Sequence, residues 1–165
     1  MDAVDTLAIF AQLAVSLTGF AGLLTAFRSG GRPWTFAEIA GIRNLLLTSV
    51  GALAFGVFPI PPLVAGIAPA TVWTWAPLAL ALFLLALFAG GIDYVVRLKG
   101  RPRSWLFYWF FTIGALPLAA VLTASAAGFL PRGPALYCAG LIWLLAIGTV
   151  QFMYQIFSTL EAKAK

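Results

Sequence analysis

The chain has 165 residues, 62% of them hydrophobic and only 9% charged, with a mean hydropathy of +1.01. A soluble domain carries about 25% charged residues, so this composition excludes an ordinary water-soluble fold and points to a membrane protein. Ten Lys and Arg against five Asp and Glu give a net charge of +5, but the cations fall in short turns between apolar runs, where they set orientation in a bilayer rather than bind nucleic acid.

The first apolar run covers about residues 6–27. Its N-terminal flank holds Asp2 and Asp5 and no cation, whereas a cleaved secretory signal begins with a basic segment, so a retained helix is expected. Ala14, Thr18, Gly22 and Ala26 recur at every fourth position. Such small residues let helix backbones approach, inside one chain or between copies. A turn containing Arg28 and Arg32 follows, and Thr35 with Glu38 forms a capping-box pattern for the next helix.

The second span is expected over 36–59. Ala40, Asn44, Thr48, Ala52 and Gly56 give it a four-spaced stripe, in which Asn44 and Thr48 are of the type that hydrogen-bonds to a neighbouring helix. The prolines at 59, 61 and 62 break the helix. The uncharged stretch 64–70 then reads as a loop at the membrane surface.

The third span, about 72–98, opens with Trp73 and Trp75, the residue type that anchors at membrane interfaces. It closes with Asp93 and Arg97, four apart and so on one helix side. The basic turn holding Lys99, Arg101 and Arg103 comes next. The fourth span, about 105–129, carries Pro117, where a kink is expected, and a stripe of Ala115, Ala119, Thr123 and Ala127. A short turn around Arg132 makes spans four and five a hairpin. The fifth span, about 135–160, is apolar until Val150 and then carries Gln151, Tyr154 and Gln155.

Each run is long enough to cross about 30 Å of hydrocarbon at about 1.5 Å per residue. The expected architecture is an all-α polytopic bundle of five transmembrane helices, one domain over 1–165. The two basic turns belong in the cytoplasm by the positive-inside rule. That puts the N-terminus outside and the C-terminus, with Lys163 and Lys165, inside.

With that orientation the polar groups gather on one side. Arg43, Asn44, Thr48, Asp93, Arg97, Gln151, Tyr154 and Gln155 share the cytoplasmic leaflet, while the outer leaflet holds little beyond Gln12, Thr123 and Ser125. A bare charge at the bilayer centre costs about 2.5–3.5 kcal/mol on insertion scales. Asp93 is therefore expected to pair with Arg43 or Arg97, with Asn44, Gln151 and Gln155 bonding around the pair. This layer reads first as a latch fixing helix register and second as a cytoplasmic vestibule for an ion or small solute. Ala14, Thr18, Gly22, Ala40, Ala52 and Gly56 are the expected helix-packing positions. Lys99, Arg101 and Arg103 should attract anionic lipid, at about 1 kcal/mol per charge.

Little supports an enzyme. Histidine is absent, Cys138 is alone, Glu38 and Asp93 do not make a close pair of carboxylates, and no phosphate-binding glycine loop is present. The usual general base and thiolate or imidazole metal cages are thereby removed, and no cofactor or metal is expected.

Ser16-Leu-Thr-Gly-Phe-Ala-Gly22, Phe27-Arg28, Trp34, Glu38 and Arg43-Asn-Leu-Leu together resemble the start of small uncharacterised bacterial multi-pass membrane proteins, over about the first 60 residues. The resemblance implies an inner-membrane location and assigns no residue a catalytic role. The expected function is that of a non-enzymatic membrane protein that self-associates or joins a membrane complex, its partners being the bilayer and itself or another membrane protein. The alternative is a homo-oligomeric channel or transporter using the polar layer.

Overall fold

A computed structural model describes residues 2–28, 36–97 and 105–163. Six helices appear in order: α1 (Ala3–Arg28), α2 (Phe36–Val57), α3 (Ile60–Val64), α4 (Pro69–Arg97), α5 (Trp105–Ala126) and α6 (Pro134–Lys163). Among the described residues four stretches are long and apolar enough to cross a membrane: Ala3–Leu23, Glu38–Val64, Pro69–Ile92 and Pro134–Phe157. The apolar stretch Ile113–Ala126 within α5 is shorter. Among the described residues no strand occurs, and the fold is an all-α bundle of membrane-type helices.

The surface is inverted relative to a soluble protein. Leu13, Phe20, Leu82 and Ile142 are all more than half exposed, whereas Thr48, Ser49, Gln151 and Gln155 are buried. Apolar side chains spread over the outside in this way need lipid around them.

The chain forms two compact units, Met1–Val57 with Leu141–Lys165 and Phe58–Gly140. In the first, α1 turns Leu7, Ala11, Ala14, Leu17 and Ala21 inward, and α2 turns Ala40, Leu45, Thr48, Ser49 and Ala52 inward. The two backbones approach closely at Gly56, where a Cβ would sit 3.3 Å from the Ala11 nitrogen. Leu17, Ala21 and Leu45 make a core against Leu145 and Phe152 of α6, and Phe20 adds a tilted ring contact to Phe152 at 5.8 Å.

The four-spaced stripes of α1 and α5 do not stay on one face, whereas on α2 Ala40, Thr48, Ala52 and Gly56 are all buried and Asn44 is half-buried. A helix has 3.6 residues per turn, so every four-residue step drifts by about 40°. On α1, Ala14 is buried, Thr18 is half-buried, and Gly22 and Ala26 are exposed. On α5, Ala115 and Ala119 are buried while Thr123 and Ala127 are exposed. The buried apolar positions mix steps of three and four instead: 7, 11, 14, 17 and 21 on α1, and 115, 119, 122 and 126 on α5. Gly22, expected as a packing position, has nothing within 4 Å of where its Cβ would be.

In the second unit α4 packs against α5. Leu80 and Leu122 reach Gly140 at the start of α6, where a Cβ would lie 2.6 Å from Leu80 Cδ2 and 3.4 Å from Leu122 Cδ1. Trp73 is buried against Tyr137, with ring centroids 5.8 Å apart. It is a core residue, and of the two expected interfacial anchors only Trp75 faces outward. Both α4 and α5 continue through a proline, Pro77 and Pro117. The proline-rich segment after α2 is more than a break. Pro61 sits in the first turn of the short helix α3, where its missing N–H would have no helical partner anyway.

Two turns close by the same bonds. After α3, Ile67 N–H donates to Pro62 O at 3.0 Å and Gly66 N–H to Leu63 O at 3.2 Å. After α5, Phe129 N–H donates to Ala124 O at 2.9 Å and Gly128 N–H to Ser125 O at 3.1 Å. Each is a Schellman motif, and each glycine has the positive φ the motif requires, 77° at Gly66 and 87° at Gly128. The second turn is reinforced by the Ser125 hydroxyl, which donates to Pro131 O at 3.1 Å. Gly128→Val should lose about 1–3 kcal/mol through the left-handed backbone alone. Thermal unfolding of the full chain in detergent checks this; a variant as stable as the parent would refute the strain argument.

Candidate functional site

The first unit buries a set of hydroxyls and amides among glycines. Gln151 and Gln155 are one turn apart on α6 and are 4% and 2% exposed. Gln155 lies so close over Gly41 of α2 that a Cβ there would run into its Nε2. About two turns further along α2, Thr48 faces Gly148 of α6, its Oγ1 being 3.3 Å from where a Cβ would stand. Leu17 of α1 closes the third side, with Cδ2 at 2.6 Å from the same point. Glycines at 41 and 148 thus provide the room for polar side chains to cross from one helix to the next.

The hydroxyls do not bridge helices through their protons. Thr48 Oγ1 donates to Asn44 O at 3.0 Å and Leu45 O at 3.1 Å, and Ser49 Oγ donates to Leu45 O at 2.7 Å. Thr18 and Thr123 do likewise, each to the carbonyl four residues back at 2.8 Å. Back-bonding of this kind satisfies a hydroxyl inside its own helix. It leaves the oxygen's lone pairs as the only capacity for a neighbour.

Of the expected polar layer, Thr48, Gln151 and Gln155 all belong to this unit and are buried. Asn44 is half-buried, and Arg43 and Tyr154 are exposed, so those two point away from the buried layer. The side chains of Asp93 and Arg97 lie outside the described residues, as do Lys99, Arg101 and Arg103, and with them the expected Asp93 pairing. Among the packing positions, Ala14, Ala40, Ala52 and Gly56 are buried, Thr18 is half-buried and Gly22 is exposed. Sequence reasoning missed Ser49, Gly41 and Gly148. Positions 41, 45 and 49 follow one another along one side of α2, and glycine beside a polar residue on a membrane helix was the available signal.

Opposite this layer in character is the outward side of α1. Gln12, Ser16 and Gly19 are exposed and follow steps of four and three, which places them on one face. Gly19 has nothing within 4 Å of its would-be Cβ. Ser16 Oγ donates to the Gln12 carbonyl at 3.0 Å. The Gln12 side-chain amide makes no hydrogen bond among the described residues.

These features define a class: an all-α bundle of apolar, membrane-type helices with a buried polar layer in one unit. No protein-family model, curated protein or solved structure matches the chain.

Proposed function

We propose that the chain is a non-enzymatic integral membrane protein that self-associates through the outward face of α1. The single observation that carries this reading is Gln12. It stands about 13 Å along α1 from its first residue, at about 1.5 Å per residue, which is near mid-membrane for a core of about 30 Å. Moving an amide from water to an apolar medium without hydrogen bonds costs about 2–7 kcal/mol. A second copy related by a two-fold axis meets that need, because each amide both donates and accepts. Ser16 and Gly19 leave space for the approaching backbone, the usual arrangement of close membrane-helix pairs.

The buried layer then acts as a latch within the protomer. Thr48, Ser49, Gln151 and Gln155 are all below 5% exposed, whereas a hydrated vestibule keeps its polar groups accessible. The channel alternative draws no support from that burial. The loop charges favour the N-terminus outside and the C-terminus in the cytoplasm, and the resemblance of the first 60 or so residues favours a bacterial inner membrane.

Energy transfer between fluorescently labelled copies in liposomes, measured at decreasing protein-to-lipid ratio, tests the association. The wild type should associate. Gln12→Leu should weaken association about 5- to 30-fold, the equivalent of 1–2 kcal/mol for a membrane interhelical hydrogen bond. A wild type that stays monomeric, or a Gln12→Leu variant that associates equally well, overturns the reading.

A further inference from the structure

The second unit carries an open groove of about 550 Å³ along α4 and α5, lined by Leu85, Leu116, Ala120, Thr123, Ala127 and Phe129 among others. Its one side-chain hydroxyl, Thr123, is already committed to Ala119 O at 2.8 Å, so the groove presents an apolar wall. It has the volume of a small-ligand site, about 300–1,000 Å³, but nothing in it would orient a polar molecule. At its end, where Ala127 and Phe129 line it, α5 terminates in the Gly128 turn. There the Arg132 guanidinium lies over the helix end: Nη2 donates to Ala126 O at 3.3 Å and sits 3.0 Å from the would-be Cβ of Gly128. That bond uses one of five N–H donors, and Arg132 itself is exposed. It makes no ion pair among the described residues. From Phe58 to Gly140 the sequence contains a single acid, Asp93, which belongs to the opposite end of α4.

We propose that this groove and Arg132 together bind one anionic phospholipid, with an acyl chain along α4 and α5 and the headgroup phosphate on the guanidinium. The charge chooses the occupant. An apolar groove alone accepts any lipid tail or a partner helix, but a guanidinium held at the end of the helix that lines it, with donors to spare, matches a phosphate, which it can hold through two parallel hydrogen bonds. The helix end holds the guanidinium at the level where α5 finishes, so a lipid whose chain follows α5 brings its phosphate to Arg132. Gly128 keeps that approach open, since a side chain there would press on the guanidinium. The site is independent of α1 and of the self-association proposed above.

Native mass spectrometry of the full chain in detergent, with phosphatidylglycerol or phosphatidylcholine added, tests the proposal. Phosphatidylglycerol should bind about fivefold more tightly, the effect of roughly one cation at a membrane surface. Arg132→Gln should reduce that preference and Arg132→Lys should retain it. Ala120→Leu and Ala127→Leu, both at exposed positions, should lower binding of both lipids by filling the groove. Inorganic phosphate should not displace the lipid. Equal binding of the two lipids, a preference undiminished in Arg132→Gln or reduced as much by Arg132→Lys, binding indifferent to both alanine substitutions, or displacement by phosphate alone would each overturn it.

Discussion

Gly148→Leu is expected to be among the most damaging single substitutions in the chain. The position is the meeting point of three helices: Leu17 of α1 and Thr48 of α2 both press on the space a Cβ would take, at 2.6 and 3.3 Å. Leu17 could turn its flexible end aside for a methyl group. Gly148→Ala would therefore lose packing but recover up to about 1 kcal/mol of helix propensity, and its net effect should be small. A leucine has no such escape, because Leu17 and Thr48 are themselves buried. Forcing extra methylenes into a packed core costs about 1–3 kcal/mol, occasionally more, and here two neighbouring helices would have to move. A fall of the unfolding temperature in detergent by on the order of 10 °C is expected, by the scaling for chains of this size. A leucine variant as stable as the alanine one would show that the three helices do not meet at this point.

The second large effect concerns Gly41 and Gln155. Gly41→Leu should displace Gln155 from its place over the glycine. That leaves a 2%-exposed amide with no room, and destabilisation of about 2–3 kcal/mol is expected. Combining it with Gln155→Ala should recover a good part of the loss, because the clash disappears with the side chain. The interaction energy from the four-variant cycle should be about 1–3 kcal/mol, as for residues in direct contact. Strict additivity of the two single substitutions would show that the residues do not touch. The cycle also separates a latch from an incidental contact, since Gln155→Ala alone should loosen the first unit if the amide holds it together.

The membrane class and the five helical runs were legible because hydropathy and length alone decide them. Helix ends shifted by a few residues, as at α4, which begins at Pro69 rather than near 72. The stripes were harder. On α2 the four-spaced stripe is buried from Ala40 to Gly56 apart from a half-buried Asn44, but on α1 and α5 helix rotation carries the spacing off the packing face, and the contact positions mix steps of three and four. This is why Ala14 is buried and Gly22 is not. Thr48 was legible as a buried polar residue, but its bonding was not. Whether a hydroxyl turns to its own helix or to a neighbour depends on a rotamer, and here it turns inward. Trp73 failed as an anchor for a related reason. Tryptophan is enriched at membrane interfaces on average, but Tyr137 offers a buried ring partner across the unit, and that contact is invisible before the helices are paired. Gln12 was passed over in the sequence because a single outer-leaflet amide carried no pattern. Only its exposure on α1 gives it meaning.

The paired turns at Gly66 and Gly128 bear on how this chain could be assembled. Carbonyls left open at a helix end must find water or a partner, which ordinarily ties a connection to the aqueous side of the lipid headgroups. Here the last carbonyls of α3 and α5 are taken up by the turn itself and, after α5, by Arg132. A connection that carries its own solvation can sit shallow, among headgroups, without stretching its helices toward bulk water. The connection after α5 can consequently lie among the headgroups with no need for a longer polar loop.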